Sequence, residues 1–284
     1  MKVAVIANTK KERTRAVLER FLDLLDTEGI GAVLHDDIRE VLGDGYEYES
    51  GKELYAGVNV IVSFGGDGTI LYTARISEGT GIPILGVNLG KVGFLAEISP
   101  EEIDSIPRNL KSGDFEIIER LAFTVETSCD EHYFALNDIV LDRNIDTRIL
   151  SLKIMVNGRY AGEFHADGLI VSTPTGSTAH SMAAGGPLVM PECDVIILTP
   201  ICAHSLTIRP MIIDGKKPVR ICVEEGLARM AVDGQSFVNV DTGCEVSIGR
   251  ADKPVRVMRF RGKTYFDILH TRLRWGVGLN LKNA

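Results

Sequence analysis

The chain has 284 residues, of which 45% are hydrophobic and 25% charged, the composition of an ordinary soluble globular protein long enough for two domains. Lys and Arg total 31 against 39 Asp and Glu, and the net charge of -8 argues against a protein whose affinity rests on nucleic-acid phosphates. The five cysteines (Cys129, Cys193, Cys202, Cys222, Cys244) are odd in number, scattered and without a Cys-x-x-Cys pair, so reduced thiols, mostly as small core residues, are expected instead of a disulfide frame or a zinc site.

The N-terminus reads as a strand, Val3–Ala7, and no apolar run reaches the roughly 18 residues of a membrane span, so neither a signal peptide nor a membrane helix is expected and the protein reads as cytoplasmic. Val17, Leu18, Phe21, Leu24 and Leu25 then fall at helical spacing before Gly29, and Ala32–Leu34 reads as a second strand. Val58–Phe64 predicts a strand, Thr69–Glu78 a helix and Ile82–Val87 another strand, the β-α-β succession of a parallel sheet covered on both faces. Ligands of such sheets bind beyond the carboxyl ends of the strands, where Gly65–Thr69 and a second glycine loop, Asn88–Gly93, are expected.

From about residue 115 the texture changes. Phe115–Thr127, His132–Leu141, Ile149–Val156, Leu169–Ser172, Val195–Thr199, Val219–Val223 and Val255–Phe260 are short runs rich in Val, Ile, Leu and Phe. Asn157-Gly158 is a strong hairpin signal, and Asp214-Gly215, Asp233-Gly234 and Thr242-Gly243 mark further reversals. The expected architecture is therefore an α/β N-terminal domain with a parallel sheet over residues 1–112 and a predominantly antiparallel β domain over 113–261. The tail 262–284 shows no clear period and is expected to return to the first domain.

The most informative segment is Val58-Asn-Val-Ile-Val-Ser-Phe-Gly-Gly-Asp-Gly-Thr69, a strand that runs into a glycine-rich turn carrying a single carboxylate. Gly65, Gly66 and Gly68 are expected to take positive φ and to bring backbone N–H groups close to phosphoryl oxygens. A bare anion site would avoid Asp67. Its presence suits a site that a substrate hydroxyl or a metal ion also enters, which is the requirement of phosphoryl transfer.

A second segment, Asp167-Gly-Leu-Ile-Val-Ser-Thr-Pro-Thr-Gly-Ser-Thr-Ala-His-Ser-Met-Ala-Ala-Gly-Gly-Pro187, ends a strand and then gathers Thr173, Thr175, Ser177, Thr178 and Ser181 around His180. One of these hydroxyls could cap a following helix, but the density suits a sugar or amide ligand. No Gly-x-Ser-x-Gly elbow supports a serine hydrolase, and both the dinucleotide fingerprint Gly-x-Gly-x-x-Gly and the Gly-x-x-x-x-Gly-Lys-Ser/Thr loop are missing.

Taken together, Gly65-Gly-Asp-Gly-Thr69, Asn88-Leu-Gly-Lys-Val-Gly-Phe-Leu95, Ala135-Leu-Asn-Asp138, Asp167-Gly168, Thr173-Pro-Thr-Gly-Ser-Thr-Ala179, Gly185-Gly-Pro187 and Thr199-Pro-Ile-Cys-Ala-His-Ser-Leu206 resemble the NAD kinases over nearly the whole chain. The first element alone is shared with diacylglycerol-type lipid kinases and, more loosely, with 6-phosphofructokinases. The resemblance implies transfer of a phosphoryl group from ATP, another triphosphate or polyphosphate to the 2′-hydroxyl of the adenosine ribose of NAD, giving NADP, usually by a homodimer or homotetramer. It implies Asp67 as the catalytic aspartate beside Gly65, Gly66, Gly68 and Thr69, and Asn137 and Asp138 as the pair that holds the dinucleotide. It also implies nucleotide contacts at Lys91, Phe94, Arg148, His165, Asp167, Gln235 and the run Thr178, Ala179, His180, Ser181, Met182, Ala183. The family usually has Tyr where this chain has His180, a group whose charge changes near neutral pH.

In the mechanism so implied, Asp67 orients the hydroxyl and accepts its proton late, as the P–O bond forms, because a loose transition state depends mainly on alignment and charge neutralisation. Mg2+ or another divalent cation is expected on the donor phosphates, with no protein metal cage. Two other classes remain open on sequence alone. A lipid or small-alcohol kinase of the same ancestry would need an apolar groove or basic membrane patch, and a non-catalytic dinucleotide sensor would have no need of Asp67.

Overall fold

Strand β1 (Lys2–Ala7) buries Val3 to Ile6 consecutively, the two-sided burial that a parallel strand between helical layers demands. The computed structural model describes residues 1–90, 93–143, 149–262 and 264–276, which divide into two units, Met1–Ile118 with the segment from Arg256, and Glu119–Val255. Lys91 and Arg148 lie outside the described residues.

After β1 come α1 (Thr14–Thr27), β2 (Gly31–His35), the one-turn α2 (Arg39–Leu42), β3 (Tyr48–Glu49), β4 (Val60–Gly65), α3 (Asp67–Ile76), β5 (Ile84–Asn88), α4 (Ile106–Ser112) and β6 (Phe115–Arg120). Helix α1 buries Leu18, Phe21, Leu22 and Leu25, spaced by three and four residues, and closes on Gly29 at φ 64°. Phe21 meets Phe64 of β4 with ring centroids 5.0 Å apart, inside a core that includes Val3, Val5, Leu25, Val62 and Val87. Each such side chain contributes about 1.5–3 kcal/mol on burial, which is what fixes α1 against the sheet.

The second unit is formed by β7 (Phe123–Thr127), β8 (His132–Ala135), β9 (Asp138–Arg143), β10 (Leu150–Val156), β11 (Arg159–Ala166), β12 (Gly168–Ser172), α5 (His180–Ala183), β13 (Val195–Ile201), β14 (Met211–Asp214), β15 (Val219–Glu225), β16 (Ala228–Val232), β17 (Ser236–Val240) and β18 (Glu245–Arg250). The chain then returns to the first unit with β19 (Val255–Phe260) and α6 (Tyr265–Leu273). Among the described residues the strands form three sheets, one of order β3-β2-β1-β4-β5-β19-β6 and two of order β11-β10-β15-β18-β7-β8 and β14-β13-β12-β9-β16-β17. In the first, the pairs β1–β2, β2–β3, β1–β4, β4–β5 and β5–β19 are parallel. The pairs described in the other two are antiparallel, and a single apolar cluster joins residues of both, among them Phe123, Leu152, Leu169, Leu198, Ile221 and Met230. The α/β and antiparallel β architectures expected from periodicity are both present.

Several local expectations are corrected. Phe115–Thr127 is two strands, broken at Leu121-Ala122, the first in the seven-stranded sheet and the second in an antiparallel one. Val255–Phe260 pairs in parallel with β5, Val257 opposite Ile84 and Met258 opposite Leu85, because a strand's partner depends on where the chain returns and not on its own residues. Strands β11, β14, β16, β17 and β18 are not among the apolar runs read from the sequence; in β11 exposed and half-buried residues fill every position but the last. The tail holds α6, opened by a capping box in which Thr264 Oγ1 accepts from Asp267 N–H (3.3 Å) and Asp267 Oδ2 accepts from Thr264 N–H (2.8 Å). The cysteines are not mostly core residues: Cys129, Cys193 and Cys202 are exposed, Cys222 is half-buried, and Cys244, also half-buried, packs against the apolar cluster. No helix of the described residues is long and apolar enough to cross a membrane.

The hairpin signals hold: Asn157-Gly158 takes φ of 50° and 73° between β10 and β11, and Asp233-Gly234 takes 50° and 63° between β16 and β17. Elsewhere glycine is required for space. A Cβ on Gly168 would lie 2.3 Å from the Leu141 carbonyl oxygen across the β9–β12 pair, whereas one on Gly162 in β11 would meet nothing within 4 Å. Backbone in a central strand cannot give way. Gly168→Ala is therefore expected to cost about 1–3 kcal/mol and Gly162→Ala less than about 0.5 kcal/mol, a contrast that thermal or urea unfolding of the two variants measures.

Candidate functional site

Strand β4 is buried along its whole length and delivers Gly65 and Gly66 to the start of α3. The positive φ expected of Gly65, Gly66 and Gly68 is absent; Gly66 is extended at φ −154°. What demands glycine at position 65 is proximity, since a Cβ there would sit 1.9 Å from Thr69 Oγ1. Thr69 in turn accepts the Gly66 N–H at 3.4 Å, a long bond that tightens the turn, while Gly68 has open space around it.

Asp67 is the first residue of α3, where a negative charge is favoured by the helix dipole. Its carboxylate turns to the second glycine loop: Oδ2 accepts the Phe94 N–H at 2.8 Å, and Oδ1 accepts those of Leu95 and Ala96 at 3.0 Å each. A Cβ on Gly93 would fall 1.9 Å from Oδ1, so only glycine lets the loop come this close. The loop is tied to the first turn as well, Leu89 N–H donating to Gly65 O at 2.7 Å. A carboxylate offers about four acceptor directions, so with three taken Asp67 keeps one, on Oδ2, for an incoming hydroxyl or cation. Phe94 is half-buried, with the Arg272 guanidinium 5.9 Å from its ring centroid.

Lys11 was not among the residues that the motifs single out. It follows β1, and its Nζ donates to Gly65 O at 3.2 Å and stands 3.4 Å from where a Cβ on Gly90 would be. The ammonium thus lies over both glycine loops and is held by a carbonyl. Its only sequence signal is a basic pair, Lys10-Lys11, just past the carboxyl end of a parallel strand.

In the second unit the segment Leu136-Asn137-Asp138 is anchored by the same device. Asp233 Oδ2 accepts the Leu136 N–H at 2.8 Å, and Oδ1 accepts those of Asn137 and Asp138 at 2.8 and 3.0 Å. The carbonyls are occupied too, that of Leu136 by Thr173 Oγ1 (2.6 Å) and that of Asn137 by Thr173 N–H (2.9 Å). Gly176 must be glycine because its Cβ would lie 2.1 Å from Asn137 O. Sequence reading took Asp233-Gly234 for a turn and missed its carboxylate, whose targets lie almost a hundred residues upstream. Burial raises the Asp233 pKa to about 6 against the opposing pull of the three amides, and the Asp138 charge adds to the rise.

The side chains of this locked segment are in the opposite condition. Asn137 Oδ1, both oxygens of Asp138, Ser172 Oγ and Thr175 Oγ1 are buried without a hydrogen-bond partner among the described residues, and Asp138 is only 1% exposed. Each such vacancy costs about 1–3 kcal/mol, more for a charge, unless a donor arrives from outside. The neighbouring hydroxyls are committed internally: Ser177 exchanges bonds with the Val189 backbone, Thr178 donates to Thr175 O at 3.2 Å, and Ser181 pairs with Thr199 at 2.8 Å. Ser181 is wholly buried; Ala179 and Met182 are half-buried and Ala183 exposed, on or just before the single turn of α5. His165 is exposed on β11, Asp167 pairs with Arg143 at 3.0 Å, and Gln235 is half-buried in the β16–β17 turn.

His180 Nδ1 stands 3.8 Å from Asp138 Oδ2. That is too long for a good hydrogen bond, so the contact is an ion-pair attraction. Asp138, as acceptor and as charge, raises the imidazole pKa above 6.5; burial opposes the rise and Asp142 adds to it.

A carboxylate at a glycine-rich strand–helix turn, with buried polar side chains lacking hydrogen bonds elsewhere in the chain, fits a phosphotransferase that handles a nucleotide. Comparison with known proteins gives the family. Residues 3–115 match the model of the ATP-NAD kinase N-terminal domain and residues 136–260 that of the ATP-NAD kinase C-terminal domain. The NAD kinase of Citrifermentans bemidjiense is 37% identical over 97% of this chain and 99% of its own length, and that of Moorella thermoacetica 35% identical over 97% and 90%. Among solved structures, yeast NADH kinase complexed with NADH superposes with a TM-score of 0.87 at 25% identity over 99% of this chain and 88% of that one. The Archaeoglobus fulgidus NAD kinase in complex with ATP gives 0.76 at 26% identity over 96% and 99%. The chain belongs to the NAD kinase family.

The His180–Asp138 contact sets a pH dependence. With the folded pKa raised, the ion pair stabilises the fold fully below about pH 6.5 and that contribution is lost as pH rises through the higher folded value. Deprotonation also frees Asp138 to accept from a ligand. NAD affinity is therefore expected to tighten with a midpoint above pH 6.5, and His180→Tyr to flatten the profile, as titration calorimetry across pH 5.5–8.5 on both proteins would record.

Proposed function

We propose that the chain is an NAD kinase that transfers a phosphoryl group from ATP, another nucleoside triphosphate or polyphosphate to the 2′-hydroxyl of the adenosine ribose of NAD, giving NADP. The observation that carries this reading is the Asn137–Asp138 pair, whose buried side-chain oxygens find no hydrogen-bond donor among the described residues, the one nearby cation being His180 at 3.8 Å from Asp138. Ribose hydroxyls and amide N–H groups are donors of the required kind. The ligands of the two solved relatives, NADH and ATP, support the two substrate classes.

In this reading Asp67 orients the hydroxyl with its remaining acceptor direction and takes the proton late in transfer. Lys11, held over the glycine turn by Gly65 O, neutralises donor phosphate oxygens. Among the described residues no group of three or more His, Cys, Asp or Glu is placed to cage a metal. A divalent cation carried on the donor phosphate oxygens would supply charge neutralisation at the transferring phosphoryl group. The exposed apolar residues Leu206, Met211 and Ile212 support a homo-oligomer, a dimer or tetramer, and five free cysteines support a reducing, cytoplasmic setting.

Asp67→Asn is expected to lower turnover at least about 10²-fold while NAD binding, measured at equilibrium, changes little. Because the carboxylate also holds the loop at Phe94–Ala96, the same variant should raise the KM for ATP; near wild-type turnover would remove Asp67 from the chemistry.

The two halves of the substrate set can be separated by a crossed comparison. Lys11→Ala should raise the KM for the phosphoryl donor about tenfold with NAD unaffected, and Asp138→Ala the reverse, in steady-state kinetics with each substrate varied in turn. An effect of Asp138→Ala confined to the donor would refute the assignment.

A further inference from the structure

Thiols that are far apart in sequence meet at one end of the β7–β18 ladder. The register pairs Thr127 with Val246 and Glu126 with Ser247, and it continues for one more step as the Ser128 N–H donates to Glu245 O at 2.9 Å and Glu245 N–H donates to Ser128 Oγ at 3.2 Å. Cys129 follows Ser128 in the turn closed by Asp130 N–H on Thr127 O at 3.1 Å, and Cys244 precedes Glu245 in a turn where its N–H donates to Asp241 O at 3.0 Å, so the two thiols adjoin the same hydrogen-bonded contact. Their side chains are within hydrogen-bonding reach of each other, the proximity a disulfide needs. Cys129 is exposed and Cys244 half-buried, so a reagent has access to one sulfur and the second waits beside it.

We infer that Cys129 and Cys244 form a reversible dithiol–disulfide site, oxidised by low-molecular-weight disulfides. In the first step the Cys129 thiolate attacks one sulfur of the reagent disulfide, forming a mixed disulfide and expelling one reagent thiolate. Cys244, on losing its proton, then attacks Cys129 Sγ and expels the second reagent thiolate. Two protein thiols have been oxidised and one reagent disulfide reduced to two thiols, the two protons passing to the leaving thiolates. Cys244 beside it, through charge and hydrogen bonding, raises the Cys129 pKa, and Glu131 and Asp241 add to the rise, so thiolate is scarce at neutral pH and the first step is slow there. The second step is intramolecular and fast. The bond would brace the β7–β8 hairpin, whose second strand runs directly into Leu136-Asn137-Asp138.

The test uses the purified, fully reduced chain incubated with glutathione disulfide and mapped as peptides without reduction. The expected result is a Cys129–Cys244 cross-linked peptide with little retained glutathione, reversed by a dithiol reductant, and a melting temperature about 5 °C or more above that of the reduced chain. Cys244→Ser should instead accumulate glutathione on Cys129 and show no such rise. A stable glutathione adduct on Cys129 in the unaltered protein, or cross-links that favour Cys193, Cys202 or a second molecule, would overturn the assignment.

Discussion

One carboxylate receiving three successive backbone N–H groups is the constraint on which the first site rests. Asp67 lies at the start of α3 and captures Phe94, Leu95 and Ala96, so the helix that carries the acid and the loop that faces it are set by a single side chain. Charge-assisted bonds of this kind are each worth roughly 1.5–3 kcal/mol, enough to define a loop that has little apolar surface of its own. The geometry also limits the chemistry. A carboxylate with three amides on it is an orienting group with one free acceptor direction, which suits a transfer whose barrier is lowered by alignment more than by early proton removal.

Asp233 repeats the device around Leu136-Asn137-Asp138, and there its consequence is clearest. Every backbone group of the segment that could wander is tied down by Asp233 or Thr173, while the side-chain oxygens of Asn137 and Asp138 are left buried without a hydrogen bond among the described residues. Stability is spent on holding acceptors in a fixed position with nothing yet to accept from. Desolvation of Asp233, whose pKa is pushed up to about 6, is part of the same cost. Binding sites differ from cores in this respect: the protein satisfies its own backbone and reserves its side chains.

His180 adds a local variation. An exposed imidazole stands 3.8 Å from Asp138, and a charge that comes and goes near neutral pH faces that buried carboxylate. The position can therefore couple ligand binding to pH in a way that a neutral ring would not.

How much of this was legible in the sequence follows from the range of the forces involved. Alternation and helical spacing are local, and they announced β1, α1, β2, β4, α3 and β5, the change to antiparallel β, and the two Asx-Gly hairpins, because burial on one face and positive φ leave marks within a few residues. The Gly-Gly-Asp-Gly-Thr turn and the Thr-Pro-Thr-Gly-Ser-Thr-Ala run carried the resemblance to the NAD kinases, although the positive φ expected of the glycines in the first is absent. What only the tertiary structure decided was every partnership across long separations: that β19 joins the parallel sheet, that Asp67 binds amides 27 to 29 residues on and Asp233 amides 95 to 97 residues back, that Lys11 covers both glycine loops, that Ser177 and Ser181 serve the fold, and that Asp138 faces His180. A residue's type states what it can bond to; which group is brought within 3 Å of it depends on the path of the whole chain.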